Sequence, residues 1–316
     1  MALLTTTIGS FPKPPALHEA RRRFAEGELA REALRQVEDD ATRAALLLQD
    51  EFGIALLVDG EMDRADPITT FAERLSGVEI DGWVRVYGDR YVRRPKITGV
   101  LGRTSSTTVE RWRFARDAAR GAVKAVLPGP YSLMDGSFDE HYGSRRDVCL
   151  AFADIVRDEA AELAAAGAVE IQLDEPSAGA NPSELPLMHE ALERVMAPLR
   201  GRSRVWLYLG YADLAELGSE LATLPANGLI VAAAHCAYDG LEPFARALPA
   251  DRVAGIGVID VLDPRVETEA EIRERIAKVT AVIPRDRLWL VPDGGFRALR
   301  PETARAKLSA MVAAAK

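Results

Sequence analysis

At 316 residues, 48% hydrophobic and 28% charged, the chain has the composition of a soluble globular protein, large enough for one big α/β domain or two smaller ones. Its formal net charge of −8 argues against non-specific nucleic-acid binding, which needs a basic face. Two cysteines, Cys149 and Cys236, are too few for a disulfide framework, so a cytoplasmic setting is expected; no signal-peptide pattern opens the chain, and no apolar run reaches the roughly 18 residues of a membrane span.

Taken in chain order, short apolar runs alternate with longer amphipathic ones. The first strand-like run, residues 3–8, ends at Gly9-Ser10, and residues 16–52 then carry one long helix or two shorter ones. The second run, 54–58, ends at Asp59-Gly60-Glu61. Residues 77–98 break the rhythm: alternation on either side of Gly88-Asp89 reads as a β-hairpin inserted after strand 2. Further strand-like runs follow at 122–127, 169–173, 205–208, 229–232, 253–258 and 288–291. The helical patterns between and after them cover 145–166, 185–199, 212–222, 241–248, 269–282 and Pro301–Ala315. Strands that are apolar throughout are buried on both faces. Eight of them alternating with helices predict a single (β/α)8 TIM barrel over residues 1–316. A doubly wound sheet would want a Gly-rich phosphate turn after an early strand, and none is present.

In such a barrel the C-terminal strand ends carry the functional side chains. These ends are Ser10, Glu61, Asp174 with Glu175, Tyr208, His235 with Cys236, Asp260 and Asp293. The Ile8-Gly9-Ser10 turn lets backbone and hydroxyl approach a carboxylate, or is simply a strand-to-loop turn. Glu61 lies in a carboxylate-rich loop that either binds an ammonium group or pairs with Arg64. Adjacent carboxylates at Asp174 and Glu175 after a buried strand need partners, which marks them as functional candidates. His235 is a candidate general acid or base, and Cys236 reads as a small buried hydrophobe. A lone His-Cys pair is a weak metal signal. His18, His141 and His189 read as surface residues; Trp83, Trp112, Trp206 and Trp289 read as core.

Three stretches carry a family resemblance: Thr5-Thr6-Thr7-Ile8-Gly9-Ser10-Phe11-Pro12, Ile171-Gln172-Leu173-Asp174-Glu175-Pro176 and Leu288-Trp289-Leu290-Val291-Pro292-Asp293-Gly294-Gly295. With matches spread over nearly the whole chain, the sequence resembles the catalytic domain of cobalamin-independent methionine synthase. The resemblance implies a zwitterionic amino-acid substrate, with its carboxylate on Ile8, Gly9 and Ser10 and its ammonium on Glu61 and Asp174. Tyr208 and Asp293 are expected to line the same site. The resemblance also implies a zinc thiolate centre, but the ligand positions read Tyr208, Gly210, Ala233 and Gly294, so no bound metal is expected. The folate-stacking position reads Gly136 and the acid-histidine position Leu262, so folate is not expected either. Without zinc, a thiol near its usual pKa of ~8.5 is only a few per cent ionised at neutral pH.

The expected function is therefore zinc-independent methyl or alkyl transfer to an amino acid, with Asp174, Glu61, His235 and Asp260 as catalytic candidates. A metal-free lyase or hydrolase acting on an amino-acid-derived metabolite is the alternative, and a non-catalytic amino-acid binder the third reading. The expected partner is a small molecule, with no nucleic acid or membrane; a homo-oligomer is compatible with the chain.

Overall fold

The computed structural model describes residues 2–85 and 91–316. The strands are β1 (Leu4–Thr5), β2 (Ser76–Arg85), β3 (Tyr91–Gly102), β4 (Ala125–Pro128), β5 (Phe138–Asp139), β6 (Glu170–Asp174), β7 (Arg204–Tyr208), β8 (Gly228–Val231), β9 (Val253–Ile259) and β10 (Leu288–Pro292). Seven of them form one parallel sheet in the order β1-β10-β9-β8-β7-β6-β4. The sheet curls in the manner of a TIM barrel. The run 54–58 was expected to be a full strand and is not: it makes only single parallel bridges, Thr6 to Leu56 and Leu57 to Val123. Those bridges lie between the two edge strands of the sheet.

β2 and β3 pair antiparallel, and β5 adds to β3 in a separate three-stranded sheet. The turn expected at Gly88-Asp89 lies outside the described residues. Trp83 on β2 was expected in the core but is 69% exposed, because it belongs to this small sheet and not to the barrel.

Helices occupy the outer layer. The stretch 16–52 resolves into two, Pro15–Ala25 and Arg31–Phe52, and the second ends on Gly53 in the left-handed conformation (φ 78°). Short helices Pro67–Ala72, Val109–Ala118 and Pro130–Asp135 were not expected; their few turns give too little periodicity to read. The main core lies between these helices and the sheet. A separate cluster of Ile8, Leu56, Trp206, Tyr208, Ile230 and Val291 draws on residues around the curled sheet, with Trp206 edge-on to Trp289 at 5.3 Å. Gly228 is required there, since a Cβ would sit 2.4 Å from the Trp206 ring.

Helix Glu269–Thr280 begins with a complete capping box: Thr268 Oγ1 accepts from Glu271 N, and the Glu271 side chain accepts from Thr268 N. Thr268→Ala is expected to lower stability by about 1 kcal/mol, measured as a shifted urea midpoint without a change in slope. None of the described helices is long and apolar enough to cross a membrane.

Candidate active site

The strand ends bring five expected residues, Ile8, Gly9, Ser10, Glu61 and Asp174, into one cluster. Gln172, buried in β6, is its hub: its Nε2 donates to the Ile8 carbonyl at 2.8 Å and to Asp174 Oδ1 at 2.6 Å. Glu61 lies over Gly9, where a Cβ would stand 2.5 Å from Glu61 Oε1, so only glycine admits that carboxylate. Ser10 is held from the other side, its carbonyl accepting from Phe296 N at 2.7 Å. A Cβ on Gly295 would come within 2.2 Å of Ser10 Oγ, so glycine is needed there too. Glu61 and Ser10 are almost fully buried, and Asp174 is half-buried.

Backbone strain places Glu61. It has φ 54°, a left-handed conformation uncommon for a residue with a side chain. Asp59 Oδ1 accepts from Glu61 N at 2.9 Å, Arg64 N donates to the Glu61 carbonyl at 3.1 Å, and Lys13 Nζ donates to that carbonyl at 2.5 Å. Burial pushes the Glu61 carboxyl above its ordinary range, and holds Lys13 down at about 8. Burial, followed by the charge of Glu61, lifts Asp174 to about 7. Arg64, Lys13 and Lys124 act on these carboxyls in the opposite sense but do not cancel the effect of burial.

Asp174 and Glu175 part ways. Glu175 is fully buried and accepts from Tyr131 N at 2.9 Å and Ser132 N at 2.7 Å, at the start of helix Pro130–Asp135. Its partners lie at the start of that helix, so it is committed to the fold, while Asp174 meets Gln172 instead.

Lys124 was missed by sequence reasoning. It is buried inside the curled sheet and its Nζ donates to Gln172 Oε1 at 2.5 Å, giving a chain Lys124–Gln172–Asp174. Burial lowers Lys124 to about 7. The signal was available: a lysine within the run 122–127 and a glutamine within 169–173 interrupt strands that otherwise bury both faces.

A second constellation lies beside the first. Asp293, at the end of β10, has no exposure; its carboxylate accepts from Ala233 N (2.9 Å), Ala234 N (3.0 Å) and His235 N (2.7 Å). It also meets His235 Nδ1 at 3.2 Å. Its oxygens are thus engaged by the turn after β8 and by the His235 ring. The hydrogen bond from Asp293 raises the His235 pKa. The His235 side chain is 24% exposed and stands edge-on to Tyr211 at 4.9 Å. The Tyr208 hydroxyl donates to the Asp293 carbonyl at 2.9 Å. Asp260 lies in the loop after β9, where its Oδ1 accepts from Leu262 N at 2.8 Å, and it acts on His235 electrostatically. Cys236, expected to be buried, is half-buried, with Sγ 3.4 Å from the Ala233 carbonyl. His18, His141 and His189 are exposed, as expected.

The positions that the resemblance assigns to zinc ligands carry no set of side-chain donors for a metal. Gly210, Ala233 and Gly294 offer no side-chain donor, and the Tyr208 hydroxyl is engaged with a carbonyl. The volume is also filled: a Cβ on Gly294 would lie 2.9 Å from Tyr211 Oη and 3.3 Å from Tyr208 Oη. Among the described residues, no group of three or more His, Cys, Asp or Glu side chains is placed to hold a metal ion.

Carboxylates and a His–Asp pair thus stand at the C-terminal ends of curled parallel strands, the end at which TIM-barrel enzymes carry their sites. The family follows from comparison: a model described as the cobalamin-independent synthase catalytic domain matches residues 3–316, and the chain belongs to that family. It is 31% identical over 316 residues to the methionine synthase of Sulfurisphaera tokodaii, covering 99% of this chain and 92% of that one. It is also 31% identical to the 5-methyltetrahydropteroyltriglutamate–homocysteine methyltransferase of Flavobacterium johnsoniae, but spans only 42% of that protein. Among solved structures, a B12-independent methionine synthase from Shewanella sp. W3-18-1 in complex with selenomethionine superposes with TM-score 0.87 at 28% identity, covering 100% of this chain and 97% of that one. The Flavobacterium relative is a methyltransferase by name, and the other two are methionine synthases.

Proposed function

We propose that the protein is a transferase that binds a zwitterionic amino acid between the Ile8-Gly9-Ser10 turn and the Glu61–Asp174 pair, and moves a methyl or alkyl group to or from it without zinc or folate. The observation that carries the reading is the buried Glu61 carboxylate stacked on Gly9, with Asp174 tied to Ile8 through Gln172. Buried carboxyls with raised pKa values tend to keep their protons where the charges of Arg64 and the nearby lysines offset burial only in part, and an α-ammonium supplies the further cation that favours their ionised form. Ser10 and the backbone around it supply neutral donors for the carboxylate end. The selenomethionine bound to the Shewanella relative supports an amino-acid ligand here. The unsuited donor set at Tyr208, Gly210, Ala233 and Gly294 supports independence from zinc. Gly136 in place of a stacking aromatic supports a donor other than folate. The full barrel, with residues 54–58 as its remaining strand position, is part of the same reading.

The test is metal analysis of protein purified without chelator, with melting curves on the same sample against homocysteine, methionine and other amino acids. The expected result is sub-stoichiometric zinc and a raised melting temperature with at least one amino acid, as mass action requires of a ligand that binds only the native state. Stoichiometric zinc required for binding would overturn the metal-free reading. Stabilisation by no amino acid would overturn the substrate class. Turnover of a single substrate without a donor would favour the lyase reading over transfer.

A further inference from the structure

We propose that Asp293 and His235 form a catalytic base that removes the side-chain proton of a thiol amino acid held in the mouth, standing where the resemblance places a metal. The proposal rests on the amino-acid reading above and adds to it a residue and a chemistry. The pair has the geometry of a base with its orienting group: Nδ1 is 3.2 Å from Asp293 Oδ2, and Asp293 is itself fixed by three backbone N–H groups at 2.7–3.0 Å. With Nδ1–H turned to the carboxylate, Nε2 is the basic nitrogen. The ring is a quarter exposed, so a ligand reaches it.

The link to the amino-acid end runs through two glycines. Gly295 abuts Ser10, where a Cβ would be 2.2 Å from Ser10 Oγ, and Gly294 abuts Tyr208 and Tyr211. Tyr211 packs edge-on to the His235 ring at 4.9 Å, so a run of contacts leads from the base to the Ser10 turn. The charged groups acting on the ring are Asp293 from β10 and Asp260 from the loop after β9, both acidic and both favouring the protonated ring. No lysine or arginine is among them.

In the proton transfer, the S–H bond breaks with its electron pair left on sulfur, and the proton passes to Nε2. The resulting imidazolium is paired through Nδ1–H with Asp293. The thiolate then bonds to the alkyl carbon of an activated donor, whose leaving group departs with the electrons of the broken bond and takes up the proton from His235 or from water. A thiol beside an imidazolium ionises well below its free pKa of ~8.5, which is what a bound metal would otherwise achieve.

The experiment measures the ultraviolet thiolate absorbance of homocysteine bound to the full chain in chelator at about pH 7, with methionine binding by calorimetry as a control that has no thiol. Wild type is expected to raise the thiolate fraction about 10-fold over free homocysteine. His235→Gln is expected to return it to the free level while still binding methionine, which also shows that the variant is folded. A bound thiol that stays protonated in wild type overturns the proposal, as does a thiolate signal that persists in His235→Gln or appears only with added zinc. If methionine binds and the thiol stays protonated, the base alone fails; if neither amino acid binds wild type, the amino-acid reading fails and takes the base with it.

Discussion

Asp174→Asn and Glu61→Gln are each expected to weaken amino-acid binding by about 100-fold or more and to raise the melting temperature of the ligand-free protein. Both substitutions are isosteric. In Asp174→Asn the new amide keeps an oxygen for the Gln172 Nε2 group, which now donates to Asp174 Oδ1 at 2.6 Å, so the local scaffold survives. What is lost is negative charge facing a desolvated ammonium. Truncating one partner of a buried, hydrogen-bonded charge pair costs about 2–5 kcal/mol, because the other charge stays buried without its counter-ion. Without ligand the sign reverses, since the carboxylates then repel each other and lack water.

The pH dependence follows from the same displacement. Asp174 is raised from 3.8 to about 7, chiefly by burial and then by Glu61. A carboxyl whose folded pKa lies above its unfolded one contributes stability that is complete below the unfolded value and is lost as pH rises through the folded value. The ligand-free protein should therefore lose on the order of a few kcal/mol between about pH 4 and pH 7, and Asp174→Asn should flatten that fall. Calorimetric titration with the amino acid found by melting, plus melting curves across that window, checks both signs. Unchanged affinity in both variants would remove the clamp.

How much of this was legible from residues depends on what each position must satisfy. Seven parallel strands were readable because burial on both faces demands continuous apolar runs with Gly, Pro or Asp at their ends. The run 54–58 looks the same in composition, yet it makes only single bridges; composition reports burial and not hydrogen-bond register. Ile8, Gly9, Ser10, Glu61 and Asp174 were readable as strand-end residues, and the structure gathers them. Glu175 was not separable from Asp174, because which of two adjacent carboxylates meets the N–H groups of Tyr131 and Ser132 is a tertiary fact. Lys124 was overlooked because lysine usually reads as surface, although its neighbours in the run 122–127 left it no surface to reach. Glu61 in a left-handed conformation has no sequence signature beyond the preceding Gly60.

Asp293→Ala is expected to destabilise the protein by about 3–5 kcal/mol, the opposite of the effect at Asp174. The two aspartates sit at equivalent strand ends and differ only in what solvates them. Asp293 has no exposure, but Ala233 N, Ala234 N and His235 N stand at 2.9, 3.0 and 2.7 Å, so backbone dipoles replace water and the charge is held at little cost. Gly257 makes room for it, since a Cβ there would lie 1.8 Å from Asp293 Oδ1. Removing the carboxylate leaves those three donors unpaired in the turn that carries His235, and buried N–H groups are seldom left so. Asp293→Asn should fall between, because its amide keeps one acceptor but turns an N–H toward the His235 donors, and the His235 pKa, held up by Asp293, should drop with it. Urea unfolding gives the stabilities, and NMR titration of the imidazole gives the second effect. An unchanged urea midpoint in Asp293→Ala, together with lost amino-acid affinity, would make Asp293 a ligand contact after all. A fallen midpoint with the lowered imidazole pKa in Asp293→Asn would establish it as the residue that holds His235 at the mouth.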